Sequence, residues 1–218
     1  MSNRAVSIAV KICGLNDASG VAAAVEGGAA FVGFVFFPAS PRYVEPETAA
    51  SLGARVPKTI VKVGLVVDAD DATLERVVAH SRIDLIQLHG DETPARVAEI
   101  RSRFGLPVMK AIPVATAADV NRAGDFEPVA DRLMFDARAP KDATRPGGNA
   151  RPFEWTLLKG RDFAKPWMLA GGLTAANVAE AVRASGARAV DVSSGVEAAP
   201  GRKSAEKISE FLRIAAAL

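Results

Sequence analysis

The single cysteine of the chain, Cys13, lies in the stretch "VKICG", where an apolar run ends and a glycine follows. A free thiol has a pKa of about 8.5, so it is only a few per cent ionised near neutrality and needs help to act as a base. Asp136 likewise ends an apolar run, "RLMF". A carboxylic acid donates a proton near pH 7 when partial burial raises its pKa. Cys13 and Asp136 are therefore a candidate pair for proton transfer.

Both residues also have simpler interpretations. A lone cysteine is more often a small packing residue than a catalyst, and an aspartate after a strand often only forms a turn. One cysteine excludes an internal disulfide and a thiolate-rich metal site. With two histidines, His80 and His89, a zinc or iron site would have to be built mostly from carboxylates.

Two further stretches are rich in glycine and serine. "AGGL" contains Gly171 and Gly172, and "SSGVE" contains Ser193, Ser194 and Gly195. Such residues expose backbone N–H groups, and "GVEAAPG" is able to begin a short helix whose N-terminus favours an anion. A glycine pair alone only turns the chain, but the two stretches together favour a phosphate-binding site.

The elements that position these residues follow a regular pattern. Eight short apolar runs are predicted to be strands: "SIAVKI", "AAFVGFVFF", "TIVKVGLVV", "DLIQLH", "PVMKAIPV", "RLMFD", "KPWMLA" and "RAVDVSS". Helix-like stretches separate them and close the chain: Asp17–Glu26, Pro46–Arg55, Ala72–His80, Thr93–Phe104, Ala117–Ala123, Phe153–Leu158, Ala175–Ala184 and Ser204–Ala217. Thr93, Thr174 and Ser204 are predicted helix N-caps. Eight βα units without a break in composition predict one α/β domain over residues 1–218, a (β/α)₈ TIM barrel. A doubly wound open sheet is the alternative, although it rarely needs eight repeats.

In such a barrel the active site lies at the C-terminal ends of the strands. This rule brings Cys13, Arg42, His89, Asp136 and the two glycine-rich stretches to one mouth, where the last two loops frequently bind phosphate. The longest gap in the pattern, Ala137–Pro152, follows strand six. Its length predicts a flexible active-site loop.

Lys11 is a candidate for tuning the thiol, because side chains two apart in a strand share a face. Asp191 and Ser193 are predicted on the interior face of strand eight, which neighbours strand one in a closed barrel. We hypothesise a buried Lys11–Asp191 pair whose residual positive field favours the thiolate. The alternative is a pair that only neutralises itself and fills the barrel.

The bulk composition narrows the class of protein. Of the 218 residues 49% are hydrophobic, and 27 basic residues nearly balance 25 acidic ones for a net charge of +2. The charges are interleaved, which does not indicate a nucleic-acid partner, and "GRKSAEK" is predicted to be an exposed helix entry. The N-terminal apolar run is too short for a signal peptide, and no run approaches the ~20 residues that span a bilayer. We expect no membrane partner and a cytoplasmic location.

The sequence resembles a known family along almost its whole length. The motifs "VKICGLND", "FVFFPASPRYV", "IQLHGDE", "LAGGLTAANV" and "DVSSGVE" occur in the order typical of phosphoribosylanthranilate isomerases. The resemblance implies a TIM barrel, an isomerase of tryptophan biosynthesis without a cofactor, and a phosphorylated small-molecule substrate. The implied reaction is the Amadori rearrangement of N-(5-phospho-β-D-ribosyl)anthranilate to 1-(2-carboxyphenylamino)-1-deoxy-D-ribulose 5-phosphate. Monomer and homodimer both remain open.

The resemblance also implies roles for individual residues. The position of the family's general base corresponds to Cys13, and that of its general acid corresponds to Asp136. Arg42 corresponds to the arginine that binds the anthranilate carboxylate in the family, and His89 corresponds to a residue that lines the same pocket. The phosphate cradle falls on Gly172, Ser194 and Gly195.

The sequence also leaves two other classes of function open: another phosphate-binding barrel enzyme and a non-catalytic binding protein. A sugar-phosphate epimerase needs a metal, and the related histidine-pathway isomerase is expected to carry an aspartate in place of Cys13. A non-catalytic barrel that binds a phosphorylated metabolite places no demand on Cys13 or Asp136.

Overall fold

Eight parallel strands close into a barrel in the computed structural model, which describes residues 8–139 and 152–218. The strands pair in chain order, and β1 also pairs with β8. They are β1 Ala9–Cys13, β2 Phe31–Val35, β3 Val61–Val66, β4 Leu85–Leu88, β5 Val108–Val114, β6 Arg132–Ala137, β7 Trp167–Leu169 and β8 Ala189–Val192. The predicted (β/α)₈ barrel is confirmed. The predicted loop Ala137–Pro152 falls largely on residues 140–151, outside the described residues.

Helices follow the strands and cover the outside of the barrel. They are α1 Ala18–Glu26, α2 Pro46–Gly53, α3 Asp71–Ser81, α4 Pro94–Phe104, α5 Ala117–Asn121, α6 Ala123–Phe126, α7 Val178–Ser185 and α8 Ala205–Ala215. The predicted helix over Phe153–Leu158 is only a 3₁₀ turn, Trp155–Leu158. It ends because the backbone of Lys159 is extended, with φ of −63° and ψ of 127°, and Gly160 follows with a φ of +70°. No helix in the described ranges is both long and apolar enough to cross a membrane.

Side-chain caps fix most of the predicted helix starts. Thr93 accepts a hydrogen bond from the Arg96 backbone N–H at 3.2 Å, and Ser204 caps α8 in the same way. The prediction for Thr174 is wrong, because α7 begins at Val178 after Asn177. The side chain of Asn177 accepts from the backbone N–H of Thr174 instead, and this contact holds the chain in a turn before the helix.

Two layers of apolar side chains make the core. The larger layer lies between the strands and the surrounding helices and includes Phe34, Phe135 and Phe211. The barrel interior is filled by a smaller set: Phe31, Val63, Leu85, Met109, Ala111, Met134, Met168 and Ala170. A third apolar cluster lies above these interior side chains, at the C-terminal ends of the strands, and contains Cys13, Val35 and Leu65. The interior is thus a solid floor for a site at the upper rim.

Candidate active site

A cavity of about 660 Å³, including its open mouth, lies at the C-terminal ends of the strands. All the predicted site residues except Gly195 line it. The lining residues are Cys13, Val35, Phe37, Ser40, Arg42, Leu65, Val67, His89, Asp136, Gly171, Gly172, Leu173, Asp191, Ser193 and Ser194. The residues that line this one opening come from seven of the eight strands or from the loops that follow those strands, as the strand-end rule predicts.

Cys13 ends β1 as a free, buried thiol. Its register partner on β2 is Gly33. A Cβ at Gly33 would lie only 3.2 Å from the Cys13 Sγ and 3.1 Å from the Lys11 Nζ. Because Gly33 has no side chain, β2 leaves space for the Lys11 ammonium group and the Cys13 thiol to lie next to each other.

The hypothesised buried ion pair is present. Lys11 Nζ lies 2.7 Å from Asp191 Oδ1, and the two residues are register partners in β1 and β8. Burial alone would lower the pKa of Lys11, but the Asp191 carboxylate and the neighbouring Cys13 raise it above its ordinary value. The lysine is therefore charged in the folded protein.

The field of this pair has the expected direction, because the lowering of the Cys13 pKa by Lys11 is larger than the raising by Asp191, but burial outweighs both. Burial raises the pKa of the Cys13 thiol; Lys11 opposes this effect, while Asp191 adds to it. The net direction is upward. The resting form of Cys13 is accordingly the thiol, because desolvation outweighs a lysine whose field is partly cancelled by its partner.

The pH dependence of alkylation of the single cysteine measures the opposing effects of Lys11 and Asp191 on the pKa of Cys13. Because its pKa is raised, folded Cys13 should react with iodoacetamide only at a higher pH than a free thiol does. We expect Lys11→Met to move the reaction to still higher pH and Asp191→Asn to move it to lower pH. Lys58→Met, at an exposed lysine, should leave the profile unchanged. Shifts of the same sign in both variants would contradict the assignment.

Asp136 is held by a chain of hydrogen bonds that begins inside the barrel. The amide Nε2 of Gln87, which is fully buried, lies 2.8 Å from His89 Nδ1. The Gln87 amide group donates to Nδ1, so Nε2 is the ring nitrogen that donates a hydrogen bond to Asp136 Oδ2 at 3.0 Å. The other carboxylate oxygen accepts from the Ala137 backbone N–H at 2.8 Å. Both oxygens of Asp136 are therefore fixed at the mouth of the cavity.

Arg42 lies on the opposite side of the lining, in the loop after β2. It is 3% exposed and forms a two-point ion pair with Glu197, with Nε–Oε1 at 2.6 Å and Nη2–Oε2 at 2.9 Å. Glu197 also accepts from Lys203 Nζ at 3.0 Å. Burial alone would raise the pKa of Glu197, but hydrogen bonds from Arg42 and the charge of Lys203 lower it, so the carboxyl is ionised.

The two glycine-rich loops meet beside Asp136. Gly171 and Gly172 follow β7 with φ of +92° and +66°. A Cβ at Gly195 would lie 1.9 Å from the Leu173 carbonyl oxygen, so only glycine permits this approach of the loop after β8. Gly172 and Ser194 line the cavity, so the backbone of both loops borders it.

The helix predicted to start in "GVEAAPG" does not form. A 3₁₀ turn, Ser194–Val196, leads instead into a hairpin of β9 Glu197–Ala199 and β10 Arg202–Lys203. Gly201 turns this hairpin with a φ of +79°. Proline and glycine together stop a helix here and favour the reversal.

Sequence reasoning missed two buried ion pairs that support the site. The sequence predicts Lys203 on an exposed helix entry, but the hairpin buries it against Glu197. Lys110 lies 2.8 Å from Glu92 and 2.6 Å from the Gly90 carbonyl oxygen, which fixes the loop after His89. The acidic residues in "LHGDE" and "SSGVE" were the available signal, since charges inside otherwise small or apolar motifs require buried partners.

The comparisons with known proteins agree on one family. Residues 10–213 match the family described as PRAI, N-(5'phosphoribosyl)anthranilate (PRA) isomerase. An N-(5'-phosphoribosyl)anthranilate isomerase of Paracoccus denitrificans is 58% identical over 212 residues, which cover 97% of this chain and 99% of that protein. Similarity of this extent leaves no large segment of either chain unmatched.

Solved structures give the same result. The phosphoribosyl anthranilate isomerase of Thermotoga maritima superposes with a TM-score of 0.86 at 35% identity, covering 97% of this chain and 100% of that one. Two more structures have TM-scores of 0.83 at 33% identity, with the same coverage. One is a phosphoribosyl anthranilate isomerase in complex with reduced 1-(o-carboxyphenylamino)-1-deoxyribulose 5-phosphate. The other is described as monomers of the dimeric Thermotoga maritima isomerase. On sequence and structure alike, this chain belongs to the N-(5'-phosphoribosyl)anthranilate isomerase family.

Proposed function

We propose that this chain catalyses the Amadori rearrangement of N-(5-phospho-β-D-ribosyl)anthranilate to 1-(2-carboxyphenylamino)-1-deoxy-D-ribulose 5-phosphate by general acid–base catalysis, as a step of tryptophan biosynthesis. The observation that carries this mechanism is the meeting of Cys13 and Asp136 in one cavity with the two glycine-rich loops. Family membership supports the reaction, and the geometry supports the division of roles.

Asp136 acts first, as the acid. A protonated Asp136 gives its proton to the ring oxygen of the ribose, the bond from that oxygen to C1 breaks, and the nitrogen lone pair forms an iminium. His89 positions the carboxyl through the Nε2 contact at 3.0 Å, and Gln87 fixes the ring of His89. A protonated carboxyl still accepts this hydrogen bond on its other oxygen.

Cys13 acts second, as the base. The iminium acidifies the hydrogen on C2. The resting thiol of Cys13 gives its proton to solvent, and the thiolate so formed removes the C2 hydrogen to leave an enolamine, which tautomerises to the ketone. This step restores the thiol, and Asp136 takes up a proton from solvent for the next turnover. The substrate is its own electron sink in this sequence. The acid and the base must reach different atoms of the sugar, and β1 and β6 are separated around the ring of strands.

The remaining contacts hold the two ends of the substrate. Gly172, Ser194 and Gly195 bind the phosphate through backbone N–H groups, which approach an anion closely in glycine-rich loops. Arg42 binds the anthranilate carboxylate, for which a guanidinium is the matching donor. Phe37, half-buried in the cavity wall, lies where it is able to contact the aromatic ring.

Complementation tests the proposal in the cell. Expression of this chain should restore growth of a tryptophan auxotroph that lacks the isomerase, and the Cys13→Ala and Asp136→Ala variants should not. In vitro, the purified protein should remove the fluorescence of the anthranilate-derived substrate. Survival of that signal with folded wild-type protein would refute the assigned reaction.

Substitution of Gly195 tests the phosphate cradle. The Cβ of Gly195→Ala would overlap the Leu173 carbonyl oxygen, so the two loops must separate. We expect KM to rise about 10- to 100-fold, the effect of losing hydrogen bonds to a charged group. Inhibition by inorganic phosphate should weaken in parallel. Gly124→Ala, where a Cβ meets nothing within 4 Å, is the matched control; an unchanged KM in Gly195→Ala would argue against the cradle.

We further propose that residues 1–218 act as one barrel domain in the cytoplasm, as a monomer or a homodimer. The match over residues 10–213 supports a single unit. Sedimentation equilibrium of the purified chain distinguishes the two oligomeric states.

A further inference from the structure

Among the residues that the structure describes, Arg42 is held by one edge of its guanidinium. A guanidinium has five N–H donors in a rigid plane, which form two forks able to take a carboxylate each. Glu197 occupies the side fork, through Nε at 2.6 Å and Nη2 at 2.9 Å. The end fork, made by Nη1 and the second hydrogen of Nη2, is not used by Glu197. Arg42 lines the cavity, and Glu197 does not.

Glu197 is itself fixed from behind. Lys203 Nζ lies 3.0 Å from Glu197 Oε1 and 2.8 Å from the Ser193 carbonyl oxygen. All three side chains of the Arg42–Glu197–Lys203 cluster are buried. The backbone of Gly14 packs so closely on Arg42 that a Cβ there would lie 2.5 Å from the Arg42 Cδ. The guanidinium therefore has little freedom to turn.

The charge of the cluster also suits a second carboxylate. Arg42 paired with Glu197 alone would be neutral and would attract an anion only weakly. Lys203 shares the Glu197 carboxylate, so the cluster carries one net positive charge. Because the cluster is buried, this charge is screened less than it would be at the surface.

We propose that Glu197 is a positioning residue for specificity. It holds the side fork of Arg42 so that the end fork faces the carboxylate of the substrate. Lys203 supplies the positive charge that lets the cluster attract this carboxylate. The inference rests on the proposed function. It predicts that discrimination between carboxylated and uncarboxylated ligands depends on a residue that does not line the cavity.

A pair of ligands isolates this effect. One is reduced 1-(o-carboxyphenylamino)-1-deoxyribulose 5-phosphate, and the other is the same compound without its carboxyl group. Calorimetric titration should give the wild type about a 10- to 100-fold preference for the carboxylated ligand, typical of a charged two-point contact. In Glu197→Gln the preference should fall to less than about threefold, because an amide cannot accept from both N–H groups of the side fork.

The ratio of the two affinities separates positioning from structural damage. General loosening of the phosphate loops weakens both ligands equally and leaves the ratio intact, and that outcome would overturn the inference. Lys203→Met, which makes the remaining pair neutral, should lower the ratio as well and serves as the second variant. Glu210→Gln, at an exposed glutamate on α8, is the control. A wild type without isomerase activity would refute the proposed function, whereas an active wild type with an unchanged ratio in Glu197→Gln would refute this inference alone.

Discussion

Asp136→Asn is expected to lower kcat by about 10³-fold while the protein still folds. The amide keeps the shape of the carboxyl but has no acidic proton to give to the ring oxygen, and a positioned acid contributes roughly 10²- to 10⁴-fold to a rate. The amide has a single acceptor oxygen, so the variant would keep only one of the two contacts that Asp136 makes with His89 and the Ala137 N–H. The cost in stability should therefore be about 1–2 kcal/mol.

Steady-state kinetics and ligand binding together check this prediction. The affinity of Asp136→Asn for the reduced product analogue should stay within about threefold of the wild type, since the phosphate and carboxylate contacts are untouched. Thermal unfolding verifies that the variant is folded. A folded variant that retains a tenth or more of the wild-type kcat would contradict the role of Asp136 as the acid.

Cys13→Ser is expected to lower kcat by about 10²- to 10⁴-fold, for a different reason. Serine has nearly the shape of cysteine, but its hydroxyl is a far weaker acid than a thiol, so almost no alkoxide is present to remove the C2 hydrogen. Cys13 packs against Val35 and Leu65, so the substitution conserves volume but places a hydroxyl in apolar surroundings, which should cost about 1–3 kcal/mol of stability.

The single cysteine gives this prediction an internal control. Iodoacetamide should inactivate the wild type in step with the modification of one thiol, and the product analogue should protect it. Cys13→Ala should be as inactive as Cys13→Ser, because neither side chain is a base. A Cys13→Ser enzyme with substantial activity would mean that another group takes the proton.

Much of this site was predictable from local sequence rules. The period of two along β1 and the closure of the barrel placed Lys11 next to Asp191, and their contact at 2.7 Å follows from the register of β1 with β8. The rule that strand ends form the site located Cys13 and Asp136 without knowledge of the packing. Both rules depend on backbone geometry alone.

Features that depend on tertiary packing were not predictable in the same way. The raised pKa of Cys13 is set by desolvation, which requires knowledge of every neighbour of the sulfur. The burial of Lys203 depends on a hairpin that brings it back onto Glu197. Thr174 has the residue type of a cap, but the Asn177 side chain makes the contact that delays α7. In these places contacts with other parts of the chain override the local preference of the sequence for a secondary structure.

The fate of the hydrogen on C2 tests the division of roles between Cys13 and Asp136 most directly. With deuterium at C2 of the ribosyl group, the wild type should release the label to water and show a primary isotope effect whenever proton abstraction limits the rate. Cys13→Ala should bind the labelled substrate and retain the deuterium. Release of the label by folded Cys13→Ala at the wild-type rate would contradict the assignment of Cys13 as the base.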